Sequence, residues 1–241
     1  MTASPALLSP ETNRLLATLP DDVKERLFPC LETVTLSLGE VLQQAGRKTR
    51  YAYFPTTCIA SLVYVLESGR SAEISLVGND GMMGIALFLG GQTAIGKGLV
   101  QVAGEAFRIK EDLFLKEFDR HEGLMRQTLL YTQALMTQMA LTAVCNRHHT
   151  VQQQLCRWLL MSLDRISSNQ LFMTHELIAT MLGVRREGVT EAAGRLHRLG
   201  AISYRRGRIK ILDRAKLEQL SCECYAAVRN EFARLLPDRS S

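Results

Sequence analysis

The sequence has no run approaching the roughly 18 apolar residues that a membrane span needs, although 46% of its 241 residues are hydrophobic. Its first residues, Met-Thr-Ala-Ser-Pro, lack the basic and apolar regions of a signal peptide. Together these absences predict a cytoplasmic chain with no membrane partner. No Cys-x-x-Cys pair occurs among Cys30, Cys58, Cys145, Cys156, Cys222 and Cys224. The cysteines are therefore expected as reduced thiols, and the spacing supports no structural zinc site, so no metal ligand is assigned. There is no Gly-x-Ser-x-Gly, no phosphate loop and no His-Glu-x-x-His. The carboxylates are scattered, with no pair set apart by an apolar environment, and the chain does not read as an enzyme. Internal repeats and low-complexity segments are absent too.

What is present begins with a charge asymmetry. From Arg147 onward sixteen Lys and Arg face nine Asp and Glu, a net of +7, while the preceding residues sum to −2. A positive C-terminal part on a near-neutral N-terminal part points to a phosphate-bearing partner for the former alone.

The N-terminal half reads as strands. Ser9-Pro10 and Pro20-Asp21-Asp22 each open a short helix. Then Val34, Leu36 and Leu38 alternate with Thr33, Thr35 and Ser37, as a half-buried strand requires. Further strands are predicted at Tyr51–Phe54, Ile59–Leu66, Ala72–Val77, Leu99–Val102 and Glu105–Lys110, separated by Gly-, Asn- and Asp-rich turns. Many short strands at this spacing indicate an antiparallel β-roll of jelly-roll type rather than βαβ units.

Helix takes over near Glu111. Leu124 to Val144 holds no Pro and no Gly, and at 1.5 Å per residue it runs roughly 30 Å. Its apolar residues, Leu124, Tyr131, Leu135 and Met139 among them, appear on nearly every side. Such a helix must be covered on more than one face. One face can pack on the roll, and the other predicts a second copy of the chain, a homodimer. Another helix is expected at Val151–Ile166, and a single final helix after Asp213.

Thr174 to Ile211 is the most specific stretch. Thr174 is a good N-cap with Glu176 in the first turn. Leu177, Ile178, Met181 and Leu182 form one apolar face, and Gly183 suits a left-handed turn. In a second helix Val189, Ala192, Ala193, Leu196 and Leu199 point inward, while Arg185, Arg186, Glu187, Thr190 and Glu191 point outward. This is a helix-turn-helix pattern, whose second helix is shaped for a DNA major groove. Ile202 to Ile211 then reads as two strands around Arg206-Gly207, a basic wing whose Arg205, Arg206, Arg208 and Lys210 are placed for phosphates.

A β-roll, a long helix and a C-terminal winged helix, in that order, resemble the Crp/Fnr superfamily of bacterial transcription regulators. The resemblance implies an α+β fold: an antiparallel β-roll sensor over 1–122, a dimerisation helix over 123–147 and a winged helix-turn-helix domain over 148–241. It implies base reading by Arg186, Glu187, Thr190 and Glu191, with Arg185 and the wing cations on phosphates. Arg suits guanine O6/N7, and a carboxylate accepts from cytosine N4. Family members often carry Arg where this chain has Glu191, so the resemblance implies DNA binding but does not carry over an operator sequence. The implied partners are double-stranded DNA with a two-fold symmetric site, a second copy of the chain, and RNA polymerase.

Departures lie in the roll. Cyclic-AMP-binding relatives use a Gly-Glu pair for the ribose and Arg-Ser or Arg-Thr for the phosphate. Alignment places Gly84-Ile85 and Lys97-Gly98 at those positions, the candidate effector pocket. Isoleucine accepts no hydrogen bond, and Lys97 lacks the bidentate fork of Arg. Cyclic AMP in the usual mode is thus not expected, no cofactor is predicted, and the effector is unassigned. A cyclic dinucleotide held by Lys97 and Arg108 is the alternative within the class, and a protein-interaction module that binds no DNA is the alternative outside it. Cys30 and Cys58 stand alone, unlike the tight N-terminal cysteine cluster of iron–sulfur members. His121, His148 and His149 are potential haem ligands by position, although His148-His149 reads as a solvated helix end. Cys222-Glu223-Cys224 reads as helix surface, because residues two apart do not share a helical face. A helix ending there would open a metal or redox role.

Overall fold

A computed structural model describes residues 8–94 and 96–237; the signal-peptide reading of Met1 to Pro5 lies outside them. After a 3-10 turn at Pro10–Thr12 come α1 (Arg14–Ala17) and α2 (Asp21–Leu27). The strands β1 (Glu32–Leu36), β2 (Val41–Gln43), β3 (Tyr51–Pro55), β4 (Ile59–Val65), β5 (Ser71–Val77), β6 (Lys97–Val102) and β7 (Gly104–Lys110) follow. Next are α3 (Glu111–Phe118), α4 (Gly123–His148) and α5 (Val151–Leu163). The C-terminal part comprises β8 (Gln170–Phe172), α6 (His175–Leu182), α7 (Arg186–Arg198), β9 (Ile202–Arg205), β10 (Arg208–Ile211), α8 (Arg214–Leu220) and α9 (Glu223–Leu235). No helix among the described residues is long and apolar enough to cross a membrane.

The roll is two antiparallel sheets, ordered β1-β7-β3 and β2-β6-β4-β5. Register shifts within the β4–β5 and β4–β6 pairings mark irregularities in the larger sheet. Phe54, Leu62, Val77, Phe107 and Ile109 fill the space between, and the N-terminal helices and α4 close one side with Leu16, Leu124, Tyr131 and Leu135. A second core, around Trp158, Leu159, Ile178, Leu182, Val189, Leu196 and Ile209, fills the C-terminal part and takes in Ile59 and Leu76 of the roll. It is α+β, as expected.

Leu124, Tyr131 and Leu135, the apolar residues named above for the expected dimerisation helix, are 1–3% exposed and belong to this chain's own core. The Tyr131 hydroxyl donates to the Met82 carbonyl at 2.9 Å. These three cannot reach a partner; Met139 is half-buried against the same core. The open face of α4 instead carries Arg126, Leu129, Gln133, Met136, Ala140, Ala143 and Arg147. Their alternating steps of three and four are those of a coiled-coil seam.

Two strands and one helix break differ from the sequence reading. Val41–Gln43 and Gln170–Phe172 are short strands that were not expected. The final helix is two helices: α8 stops at Leu220, and Cys222, with extended backbone, is the N-cap of α9. Helix α5 starts on a capping box between Thr150 and Gln153, the pattern in which cap and third residue satisfy each other's backbone amides.

Candidate nucleic-acid interface

Local chemistry builds the helix-turn-helix. Leu177 N–H donates to the Thr174 hydroxyl at 3.2 Å, which fixes the start of α6. Gly183 ends it at φ +66°, a conformation costly for any side chain. The turn lets α7 cross α6 over Ile178, Ala179, Val189 and Ala193, all buried. The opposite face of α7 leaves Arg186, Glu187, Thr190 and Glu191 exposed, with Arg185 exposed at the N-cap. The structure therefore gathers all five predicted residues on one solvent-facing helix surface.

The wing is three-stranded, ordered β8-β10-β9. Its tip is the two-residue turn Arg206-Gly207, both at positive φ (50° and 75°). That is the geometry that matches strand twist in a tight hairpin. Ile209 and Ile211 alternate inward, so Arg208 and Lys210 face solvent together with Arg205 and Arg206. The unexpected β8 extends this surface: the Arg208 guanidinium lies 4.9 Å from the ring of Phe172, which is 61% exposed.

Sequence reasoning missed the group that ties α7 to the wing. His175 Nδ1 lies 3.0 Å from the Thr190 hydroxyl, and the His175 ring stacks on Tyr204 of β9 at 4.2 Å. Thr190 also donates to the Arg186 carbonyl at 3.0 Å. Its hydroxyl is thus held by its own protein. Burial first, and then the charge of Arg186, lowers the His175 pKa from its ordinary 6.5, which favours the neutral ring. His175 and Thr190 lie fifteen residues apart on different helices, and no local pattern announces their link.

The candidate effector residues fall into a tightly filled region. Gly84 sits at φ +106° before a 3-10 turn beginning at Ile85. Gly98 pairs with Leu62 in the sheet. A Cβ on Gly98 would lie 2.6 Å from Met83 Cε and 2.7 Å from Gln43 Cγ, so side chains occupy the space beside it. Lys97 lies on β6 and Arg108 on β7, in different sheets. Arg108 is moreover engaged by Glu32 at 2.9 Å. A cleft of about 450 Å³ does open elsewhere, where the roll, α5 and α9 meet, lined by Arg14, Asp80, Arg165, Tyr225 and Phe232 among others.

Roll and C-terminal part are joined by buried polar contacts. Glu73 on β5 accepts from Ser61 at 2.5 Å, Gln101 at 3.0 Å and the Trp158 indole at 3.1 Å. Arg165 pairs with Asp80 at 2.7 Å and donates to the Met161 carbonyl at 2.7 Å. Burial pushes the Cys58 and Cys156 thiols up to about 12, which leaves them as inert packing groups.

Residues 153–220 match the family model of the Crp-like helix-turn-helix domain. Solved structures with the same fold include FixK2 from Bradyrhizobium japonicum, with TM-score 0.69 and 16% identity over 80% of this chain and 98% of that one. A CRP-family transcriptional regulator from Thermus thermophilus has TM-score 0.64 and 19% identity over 78% and 96%. The c-di-GMP-responsive global regulator CLP from Xanthomonas campestris has TM-score 0.63 and 14% identity over 80% and 99%. No curated protein matches the sequence. The chain therefore shares the fold of these regulators, antiparallel sheets, a long helix and a C-terminal helix-turn-helix region, and its residues 153–220 resemble the Crp-like helix-turn-helix domain.

Proposed function

We propose that this chain is a sequence-specific, double-stranded-DNA-binding transcription regulator that acts as a homodimer, with RNA polymerase as a further partner. One observation carries the reading: the exposed polar face of α7 and the four wing cations are all left free of the core that builds them. Phosphate contacts by Arg185, Arg205, Arg206, Arg208 and Lys210 would set position, and Arg186 with Glu187 and Glu191 would read base edges. Thr190 acts mainly by holding α7, since its hydroxyl already serves His175 and the Arg186 carbonyl. Two-fold pairing through the open face of α4 would set two recognition helices about 34 Å apart along one face of the duplex.

The roll does not take cyclic AMP through the usual contacts. Ile85 in place of an acceptor and the side chains packed at Gly98 support this. The pairing of Arg108 with Glu32 argues likewise against Lys97 and Arg108 as anchors for a cyclic dinucleotide.

Duplex binding measured against salt tests the DNA reading. Arg186→Ala should cost about 1–3 kcal/mol on the operator and relax selectivity at one base step. Arg206→Ala should weaken all sequences alike and reduce the salt slope by about one. Binding that neither change affects would favour the protein-interaction module instead.

A further inference from the structure

The junction between α4 and α9 gathers three thiols and an imidazole from places far apart in sequence. Cys145 lies in the last turn of α4, and His149 is the residue that caps it. Cys222 caps the start of α9, and Cys224 lies in its first turn. One ligand atom from each of the four comes within 4.8 Å of every other. Cys145 Sγ lies 3.6 Å from Cys222 Sγ, and Cys224 Sγ lies 3.7 Å from His149 Nδ1. A tetrahedral Zn²⁺ with bonds of about 2.3 Å to sulfur and 2.0–2.1 Å to nitrogen has edges of roughly 3.5–3.8 Å. The two measured separations match those edges before any ion is added. An iron–sulfur cluster would hold its ligands farther apart, because they bind different iron atoms.

Three surrounding features fit an ion better than plain packing. His149 turns Nδ1 toward the thiols, and its other nitrogen, Nε2, lies 3.4 Å from the Glu223 carboxylate. A carboxylate on the far nitrogen is the outer-shell arrangement that orients metal-bound histidines. Cys145, Cys222 and Cys224 are all at most 6% exposed, so the pocket shields its ligands from water. Three thiolates around one divalent ion leave one net negative charge. The buried guanidinium of Arg157 is within electrostatic reach of Cys145 and Cys224, and its Nε has no hydrogen-bond partner. The break between α8 and α9 also removes the objection to Cys222 and Cys224 acting together: one lies on cap backbone, so the two are not fixed on opposite helical faces.

We propose that Cys145, His149, Cys222 and Cys224 form a Cys₃His site for Zn²⁺. The ion would tie the end of the long helix to the start of the last one, across the point where the chain enters the Crp-like domain at α5. It would thereby hold that domain against α4. Thiolate ligands must lose their protons to bind, so loading releases protons and falls off in acid. The site stands on its own geometry, independent of whether α7 reads DNA.

The test uses the full-length protein. Elemental analysis after purification should find one zinc per chain, and Co²⁺ loaded into chelator-stripped protein should give strong thiolate-to-cobalt charge-transfer absorption and tetrahedral d–d bands. Zn²⁺ should bleach both. Cys222→Ser and Cys224→Ser should each remove most of that absorption, and Cys30→Ser, at a thiol outside the cluster, should leave it unchanged. Should the cluster variants fail to fold, stoichiometric zinc release from the wild-type protein on thiol modification, slowed by excess Zn²⁺, serves in their place. Zinc well below one per chain with no cobalt charge transfer would overturn the proposal. So would absorption that survives both serine changes, or a Cys145–Cys222 disulfide as the species isolated under non-oxidising conditions.

Discussion

Glu73 is a buried carboxyl that accepts from Ser61, Gln101 and Trp158. Burial raises its pKa from the ordinary 4.5 despite donors from Ser61, Trp158 and Gln101 and the charge of Arg157. A raised carboxyl pKa means that the folded chain binds this proton more tightly than the unfolded one. The associated stability is complete below pH 4.5 and is lost as pH rises through the folded value. Glu73→Gln removes the titration while keeping polar atoms in place, and Gln101 Oε1, buried without a partner, can accept from the new amide. The melting temperature of Glu73→Gln relative to wild type should therefore climb as pH goes from about 4.5 to about 8. A difference that stays constant over that range would mean that Glu73 is not held protonated by the fold. Periodicity could place Glu73 on a strand but not in this network, because Trp158 is 85 residues away.

Among the elements, α4 illustrates most clearly what periodicity can and cannot reveal. Its existence follows from a long stretch free of Pro and Gly, yet its apolar residues surround it, so no pattern says which face meets the roll. Tertiary packing decides: Leu135 is 3% exposed and Met136, one residue on, is 64% exposed. The two should respond differently. Leu135→Ala should cost about 2–5 kcal/mol of folding stability as a core truncation, read by chemical denaturation. Met136→Glu should leave each chain folded but set like charges across the proposed two-fold seam, weakening self-association by roughly 100-fold, about 2.7 kcal/mol. Sedimentation velocity separates the cases, and an unchanged dimer in Met136→Glu would move the interface off this face. Helices α6 and α7 were legible for the opposite reason: caps, Gly183 and a one-sided apolar stripe are all local. Strand β8 was not, since three residues hold too little alternation, and neither was the gap between α8 and α9, where Ser221-Cys222 has no Gly or Pro to announce it. The cluster there depends on Cys145 and Cys222, 77 residues apart, which only the packing of α9 on α4 brings together.

At the scale of the whole molecule, the question is how the Crp-like domain is held to the roll. Arg165 follows α5 and is 3% exposed; Asp80 follows β5 and is 7% exposed. They meet through two contacts, 3.0 Å and 2.7 Å, while Gln138 of α4 accepts from Arg165 at 3.3 Å and donates to the Leu76 carbonyl at 3.0 Å. Roll, long helix and C-terminal part thus share one buried polar junction. Asp80→Ala leaves the Arg165 charge buried without its counter-ion, a loss of about 3–5 kcal/mol for a pair of this kind. In a chain of this length each kcal/mol moves the midpoint by about 2–4 °C, so calorimetry should record a fall of roughly 6 °C or more. Replacing both, Asp80→Ala with Arg165→Met, removes the stranded charge and should recover part of the loss, because most of the penalty belongs to the unpaired ion rather than to the missing attraction. Limited proteolysis between Arg165 and Gln170 should quicken in the single variant and slow again in the double one. Equal losses in both would mean that the two parts are held by the apolar contacts around Trp158, with the ion pair contributing little.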